Sequence, residues 1–227
     1  LALYQALAPG ANTALLESRD AVTKLAEHSF LLSRAAVRAE CRGQTVVFEP
    51  LSPQGSFAIA QLPKRLTGAH ITHTSNGLTA CWPPVPAGLS DRERIARPSP
   101  LDAIRALTFG WSVESSPVHD PLRVTCVFSY ELLSVYEALT TPKSDPLNFP
   151  DFVAWLPEEL VVMDHKRGQT TPVCFVYHGE AVASRQASAR VEALATTIQR
   201  VAEASRPVAA DSPTAPTVQA TCDTSDS

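Results

Sequence analysis

The stretch DFVAWLPEELVVMDHKRGQTTPVCFVY, residues 151–177, decides the fold class. Asp151 to Leu156, Leu160 to His165 and Thr171 to Tyr177 are strand-like runs, and Lys166-Arg167-Gly168 is a hairpin turn between the last two. Three such runs predict an antiparallel meander. Glu158 and Glu159 follow Pro157 and precede the second run, so they read as a solvated edge. Adjacent strand residues point to opposite faces, which makes them a poor acid–base pair.

Downstream, Ala187, Val191, Leu194, Ile198 and Val201 recur at steps of four and three and predict a long helix over 182–204. Beyond Arg206 the composition turns to Pro, Ala, Ser, Thr and Asp, a linker with no capacity for a core. Upstream, Val124 to Ser129 reads as a strand and Leu132 to Leu139 as a helix. Ser99-Pro100 opens a helix, serine capping and proline in the first helical position, with Leu101, Ile104 and Leu107 on one face and Gly110 ending it. From Pro50 to Pro100 the frequent prolines predict irregular structure or a sheet edge. Ala35 to Glu40 and Gln44 to Glu49 form a hairpin about Cys41-Arg42-Gly43, preceded by a separate run, Ser29 to Leu32. Thr13 to Glu17 reads as a short buried strand after a helix over 1–8. The sum is an α+β chain, antiparallel β-meanders packed with helices.

At 227 residues the chain suits one sizeable domain with a tail. Mean hydropathy is −0.02 without a long apolar run, which excludes a transmembrane span. Lys and Arg total 19 against 23 Asp and Glu, which leaves no electrostatic case for nucleic acid or an anionic membrane. The five cysteines, at 41, 81, 126, 174 and 222, lack metal-ligand spacing and read as reduced, mostly buried thiols in a cytoplasmic setting. Starting at Leu1 with no signal-like pattern, the chain reads as cut from something longer.

No catalytic motif stands out. His70 and His73 lie in a loop-like stretch without a third ligand, Asp164-His165 belongs to a hairpin end, and GxSxG, HExxH, P-loop and GxGxxG patterns are absent. No metal site is expected, and no catalytic residue. Leu15-Leu16-Glu17-Ser18 is odder, ending a strand with a carboxylate and a hydroxyl ten residues before His28-Ser29. A strand running into a turn, Ser18 bonding local backbone, explains it without function. A binding role is the alternative.

The residues also resemble a family. NTALLESRDAVTKLAEHSFLLSRAAVRAECRGQTVVFEPLSPQG (12–55), DPLRVTCVFSYELLSVYEAL (120–139) and FPDFVAWLPEELVVMDHKRGQTT (149–171) resemble, in order, blocks of the N-terminal region of anthranilate synthase component I, with LLES as the hallmark. Thr125-Cys126 stands where that family usually has paired glycines, and His28 falls where close relatives carry a lysine. QATCDTSDS at the end resembles the start of the family's chorismate-binding half.

The resemblance implies an enzyme that, with a glutaminase partner, converts chorismate and glutamine-derived ammonia to anthranilate and pyruvate using Mg2+. It places residues 1–206 in the regulatory, partner-contacting domain, 207–221 in a linker and 222–227 at the start of the absent catalytic domain, which holds the Mg2+ ligands and the chorismate site. The partner is a glutamine amidotransferase subunit, met through 50–100 and 124–139. The effector is L-tryptophan, bound by Ser18, Glu17, Leu16 and His28. An ammonium suits Glu17, the Ser18 hydroxyl can donate or accept, and Leu16 offers backbone and apolar contact. Two alternatives remain open: aminodeoxychorismate synthase component I or another chorismate-using synthase, and a stand-alone amino-acid-binding or partner-binding module.

Overall fold

Two strands longer than any the sequence suggests, His28–Arg42 and Phe152–Asp164, run antiparallel from Cys41↔Phe152 to His28↔Asp164 and carry the rest of the chain. The structure, a computed structural model, describes residues 1–8, 10–18, 27–86, 88–112, 114, 116–118, 122–135, 147–178 and 181–205. In chain order its strands are β1 (Ala14–Leu16), β2 (His28–Arg42), β3 (Thr45–Pro50), β4 (His70–Thr74), β5 (Gly77–Cys81), β6 (Thr125–Phe128), β7 (Phe152–Asp164) and β8 (Gln169–Cys174). Its α-helices are α1 (Ala2–Leu7), α2 (Pro53–Gln61), α3 (Asp91–Ala96), α4 (Leu101–Thr108) and α5 (Ala181–Ala204). Among the described residues the strands form one eight-stranded antiparallel sheet, ordered β4-β5-β3-β2-β7-β6, with β1 added to β2 and β8 to β7. The α+β class expected from sequence is the one observed.

The central pair is interrupted. Register shifts fall between Leu32 and Val37 of β2, opposite Pro157, Glu158 and Glu159 of β7. Proline has no N–H to give the ladder, and around it Ser33 and Ala36 of β2 and Glu158 of β7 stand out of the pairing and absorb the mismatch. The two runs read as separate in β2 (Ser29 to Leu32, Ala35 to Glu40), and the two in β7, are therefore single strands crossing a defect. The meander is a long strand hairpinned to β8, which ends at Cys174 rather than Tyr177. The defect also divides the sheet. Toward one end β2 and β7 bind β3 and β6; toward the other they bind β1 and β8.

Other expectations are corrected. Glu158 is no solvated edge: it is 1% exposed, and Arg190 of α5 donates from Nη2 to its Oε1 at 2.6 Å and from Nε to Glu159 Oε1 at 2.8 Å. Arg34 Nε lies 3.4 Å from Glu158 Oε2. The ion pairs raise the affinity of Arg190 for its proton even though desolvation acts against the charge. Within 50–100 the expected sheet edge is β4 and residues 82–86 carry no helix or strand, but the stretch also holds two helices, α2 and α3. Pro53 sits in the first turn of α2 behind Ser52, whose Oγ accepts from the Gly55 N–H at 3.1 Å, and Ser90 with Glu93 makes a capping box for α3. His70 and His73 stand in the edge strand β4, not in a loop.

The N-cap position of α4 falls on Pro100, one residue later than expected, and the Ser99 N–H donates to Asp102 Oδ2 at 2.7 Å. The first hairpin turns at Gly43-Gln44, because β2 continues through Arg42. The expected helix over Leu132 to Leu139 is a 3₁₀ turn, Tyr130–Val135, as far as the described residues go. The linker and the last segment, 207–221 and 222–227, lie outside the described residues. No helix among the described residues is long and apolar enough to cross a membrane.

Small residues set the layer spacing. Gly55 of α2 lies so close to β2 that a Cβ there would meet the Ala36 carbonyl oxygen at 1.9 Å. Behind that contact Ala58, Ile59, Ala103 and Leu107 of α2 and α4 pack on Ala36, Ala39, Phe48, Leu78 and Phe152. At the other end α1 and α5 cover Leu31 and Val161 through Leu3, Tyr4, Leu7 and Ile198. The thiols are less buried than expected: Cys41 is buried, Cys126 and Cys174 are half-buried and Cys81 is exposed. Burial pushes Cys41 up to about 12 and Cys126 and Cys174 to about 11, from 9.0, and holds Tyr177 well above the phenol range.

Gly55→Ala is expected to lower the urea midpoint by the equivalent of about 1–3 kcal/mol, the cost of overpacking, although alanine is the better helix former. Arg190→Met strands the Glu158 carboxylate and should cost about 2–4 kcal/mol, less than a wholly isolated buried charge because Arg34 remains. Adding Glu158→Gln should recover part of that loss, and a double-mutant cycle with no coupling contradicts the buried pair. The raised thiol and phenol values mean that, above about pH 9, the unfolded chain sheds protons the folded chain keeps. Their contribution is complete below that pH and lost as pH rises through the folded values, so the urea midpoint should be lower at about pH 10 than at about pH 8.

Candidate functional site

β1 is three residues long and pairs with one strand: Ala14↔Leu32, Leu15↔Leu31, Leu16↔Phe30. Its lead-in is held by Asn12, whose Oδ1 accepts from Trp155 Nε1 at 2.9 Å, and by Thr13, whose hydroxyl lies 3.1 Å from that of Tyr4. The strand expected to be buried is a half-exposed edge, with Leu16 47% exposed, because nothing pairs with its outer side among the described residues. After Leu16 the ladder stops and Glu17 and Ser18 run on beside the start of β2.

An open groove results, lined by Leu15, Leu16, Glu17, Ser18, Glu27, His28 and Phe30. The four residues nominated from sequence, Leu16, Glu17, Ser18 and His28, lie on it together. Glu27 and Phe30 were missed. Alternation along β2 was the available signal for Phe30, since it shares a face with His28. The His28 ring stacks on Phe30 with centroids 6.2 Å apart, and its Nε2 lies 3.8 Å from Asp164 Oδ2. The Arg167 N–H, donating to Asp164 Oδ1 at 2.8 Å, keeps that carboxyl below the usual carboxylate range. Across Phe30 the same sheet face continues into a second hollow with Val162, Thr171, Arg123 and Arg167 on its walls.

Among the described residues Ser18 is held through its backbone rather than its hydroxyl. Its N–H donates to Ser29 Oγ at 3.1 Å, and Ser29 Oγ lies 2.7 Å from His165 Nε2. The Glu17 carboxylate and Ser18 hydroxyl have no partner among the described residues. The Glu17 carboxylate, a hydroxyl and an aromatic wall, with Glu27 beside them already 3.6 Å from Lys166 Nζ, suit a small cation with an apolar body, such as an amino acid. Ser29 and His165 are at nucleophile–base distance, yet Ser29 is 1% exposed and already accepts the Ser18 N–H, so no substrate reaches it. Among the described residues no three of His, Cys, Asp and Glu converge on a metal position.

No family model matches the chain. Among curated proteins it is 29% identical over 197 residues to anthranilate synthase component 1 of Escherichia coli (strain K12), covering 86% of this chain and 37% of that protein. It is 30% identical over 159 residues to anthranilate synthase component 1 of Salmonella typhimurium, covering 70% of this chain and 30% of that one. The pyocyanine-specific anthranilate synthase component 1 of Pseudomonas aeruginosa is 29% identical over 172 residues, 74% of this chain and 31% of that protein. The chain thus spans about a third of the length of the curated relatives it matches. A solved anthranilate synthase component I from Streptococcus pneumoniae TIGR4 overlaps 88% of this chain and 33% of that chain, with a TM-score of 0.41 and 16% identity, too slight a likeness to bear on function. The resemblance drawn from LLES and the two later blocks is to the same protein as these curated homologues.

Proposed function

We propose that this chain is the part of an anthranilate synthase component 1 that binds L-tryptophan as a feedback effector and meets the glutamine amidotransferase subunit. In this reading the whole protein converts chorismate and glutamine-derived ammonia to anthranilate and pyruvate in the cytoplasm, the first step of tryptophan biosynthesis. Bond-making, with chorismate and Mg2+, belongs to a catalytic half outside 1–227. The glutaminase contact falls on 50–100 and 124–139, where Val127, Phe128, Tyr130 and Leu133 are exposed apolar side chains.

One observation carries the effector reading: Leu16, Glu17, Ser18 and His28 line one groove. Glu17 takes the effector ammonium in a charge-assisted hydrogen bond, the Ser18 hydroxyl completes the polar cradle, and Leu16 and His28 flank it. Feedback follows if tryptophan binds the inactive arrangement of the whole protein more tightly than the active one; coupling of this kind is typically about 1–3 kcal/mol.

Ser18→Ala removes one hydroxyl hydrogen bond to the effector. It is expected to raise the tryptophan concentration for half-inhibition by roughly three- to a hundred-fold, the upper end if the lost partner is charged. The measurement is the initial rate of anthranilate release against tryptophan in the intact protein, each variant scaled to its own uninhibited rate. An unchanged curve in a folded variant returns Ser18 to a plain strand end.

A further inference from the structure

We infer that Ser29 and His165 are positioning residues for the effector groove, a hydroxyl–imidazole pair that holds the Ser18 amide and thereby sets how tightly the groove grips an amino-acid head group. This rests on the effector reading of the groove and adds to it two residues that do not line it.

Strand alternation sends Ser29 to the side of β2 opposite His28 and Phe30. It shares that side with Leu31, which α1 and α5 cover, and it is 1% exposed. The β1 ladder ends at Leu16↔Phe30. Beyond it the Ser18 N–H is taken by the Ser29 side chain, at 3.1 Å. One hydroxyl thus reaches from the covered side of the sheet to the strand end that edges the groove.

The hydroxyl needs its own partner. Its oxygen accepts from Ser18, and among the described residues the acceptor in reach of its proton is His165 Nε2, at 2.7 Å. That accounting gives the imidazole an Nε2 lone pair and an Nδ1 proton. His165 is itself fixed. Its backbone N–H donates to Glu27 O at 2.8 Å, and it directly follows Asp164, which accepts the Arg167 N–H across the β7–β8 turn. Hydrogen bonds therefore run from His165, the first residue of that turn, through Ser29 to Ser18. Breaking them releases the Ser18 amide to water and frees the strand end, so that binding has to order Glu17 and Ser18 anew.

The test compares tryptophan inhibition of the intact protein for wild type, Ser18→Ala, Ser29→Ala, His165→Leu and His165→Gln, each scaled to its own uninhibited rate, with urea midpoints in parallel. Ser29→Ala and His165→Leu should raise the half-inhibiting concentration by about three- to ten-fold. His165→Gln, whose side-chain oxygen can accept the Ser29 proton, should stay within about two-fold of wild type. A response that tracks the urea midpoint, with His165→Gln as impaired as His165→Leu, overturns the positioning role. If Ser18→Ala shifts the curve and Ser29→Ala and His165→Leu do not, the positioning role falls and the effector site stands. If Ser18→Ala shifts nothing either, the site falls and the pair falls with it. Should a variant not fold, imidazole nitrogen shifts of wild-type His165 decide: an Nδ1–H tautomer is expected, and an Nε2–H tautomer overturns the inference.

Discussion

The pairing of β2 with β7, interrupted where Pro157 faces Ala35, is the constraint on which the other elements depend. An unbroken ladder would let one pair of neighbours accompany the two strands along their whole length. The missing proline N–H and the residues left out of the pairing, Ser33 and Ala36 of β2 and Glu158 of β7, instead shift the register, and the neighbours change across the defect. β3 and β6, with α2 and α4, take one end; β1 and β8, with α1 and α5, take the other. The candidate groove exists because β1, the partner of β2 at the second end, is a three-residue stub.

The defect also explains a polar interior in an otherwise apolar sheet. Successive strand residues ordinarily face opposite ways, yet Glu158 and Glu159 both meet Arg190 beside the shifted register. A carboxylate as buried as Glu158 is tolerated only when paired, and here one arginine comes from α5 and another from β2. The pair fastens α5, which otherwise contributes little apolar burial: Leu194 is its one buried residue among those described. Tyr177 adds a second tie, its hydroxyl donating to Pro157 O at 2.6 Å. The strand irregularity and the docking of the last described helix are thus one feature.

At the groove, chemistry and architecture divide cleanly. The groups that can meet an amino acid, the Glu17 carboxylate and the Ser18 hydroxyl, sit at an unpaired strand end with no competing partner among the described residues. Rigidity comes from behind, through Ser29 and His165, which belong to the two central strands and the turn after them. The polar groups of the candidate groove thus lie on a short edge backed by the two central strands of the sheet.

The sequence by itself determined the α+β class and most strand and helix positions, because these rest on local signals, alternation, helical spacing and turn residues; that the LLES segment and His28 line one groove was left to the fold. It also held signals that were passed over. Ser90 to Glu93 spells a capping box, Ser52-Pro53 a helix start, and Asn76-Gly77 a hairpin, all inside the stretch expected to be irregular or a sheet edge. What only the tertiary structure decided depends on residues far apart in the chain. Pro157 looks like a strand break until a partner strand bulges to accommodate it, and Glu158 looks solvated until an arginine 32 residues later returns to cover it. Ser29 and His165, 136 residues apart, carry no shared local signal, and their hydrogen bond exists because the β2–β7 register brings them to one point. Local patterns specify elements; which of them meet is settled by a register that no window of sequence contains.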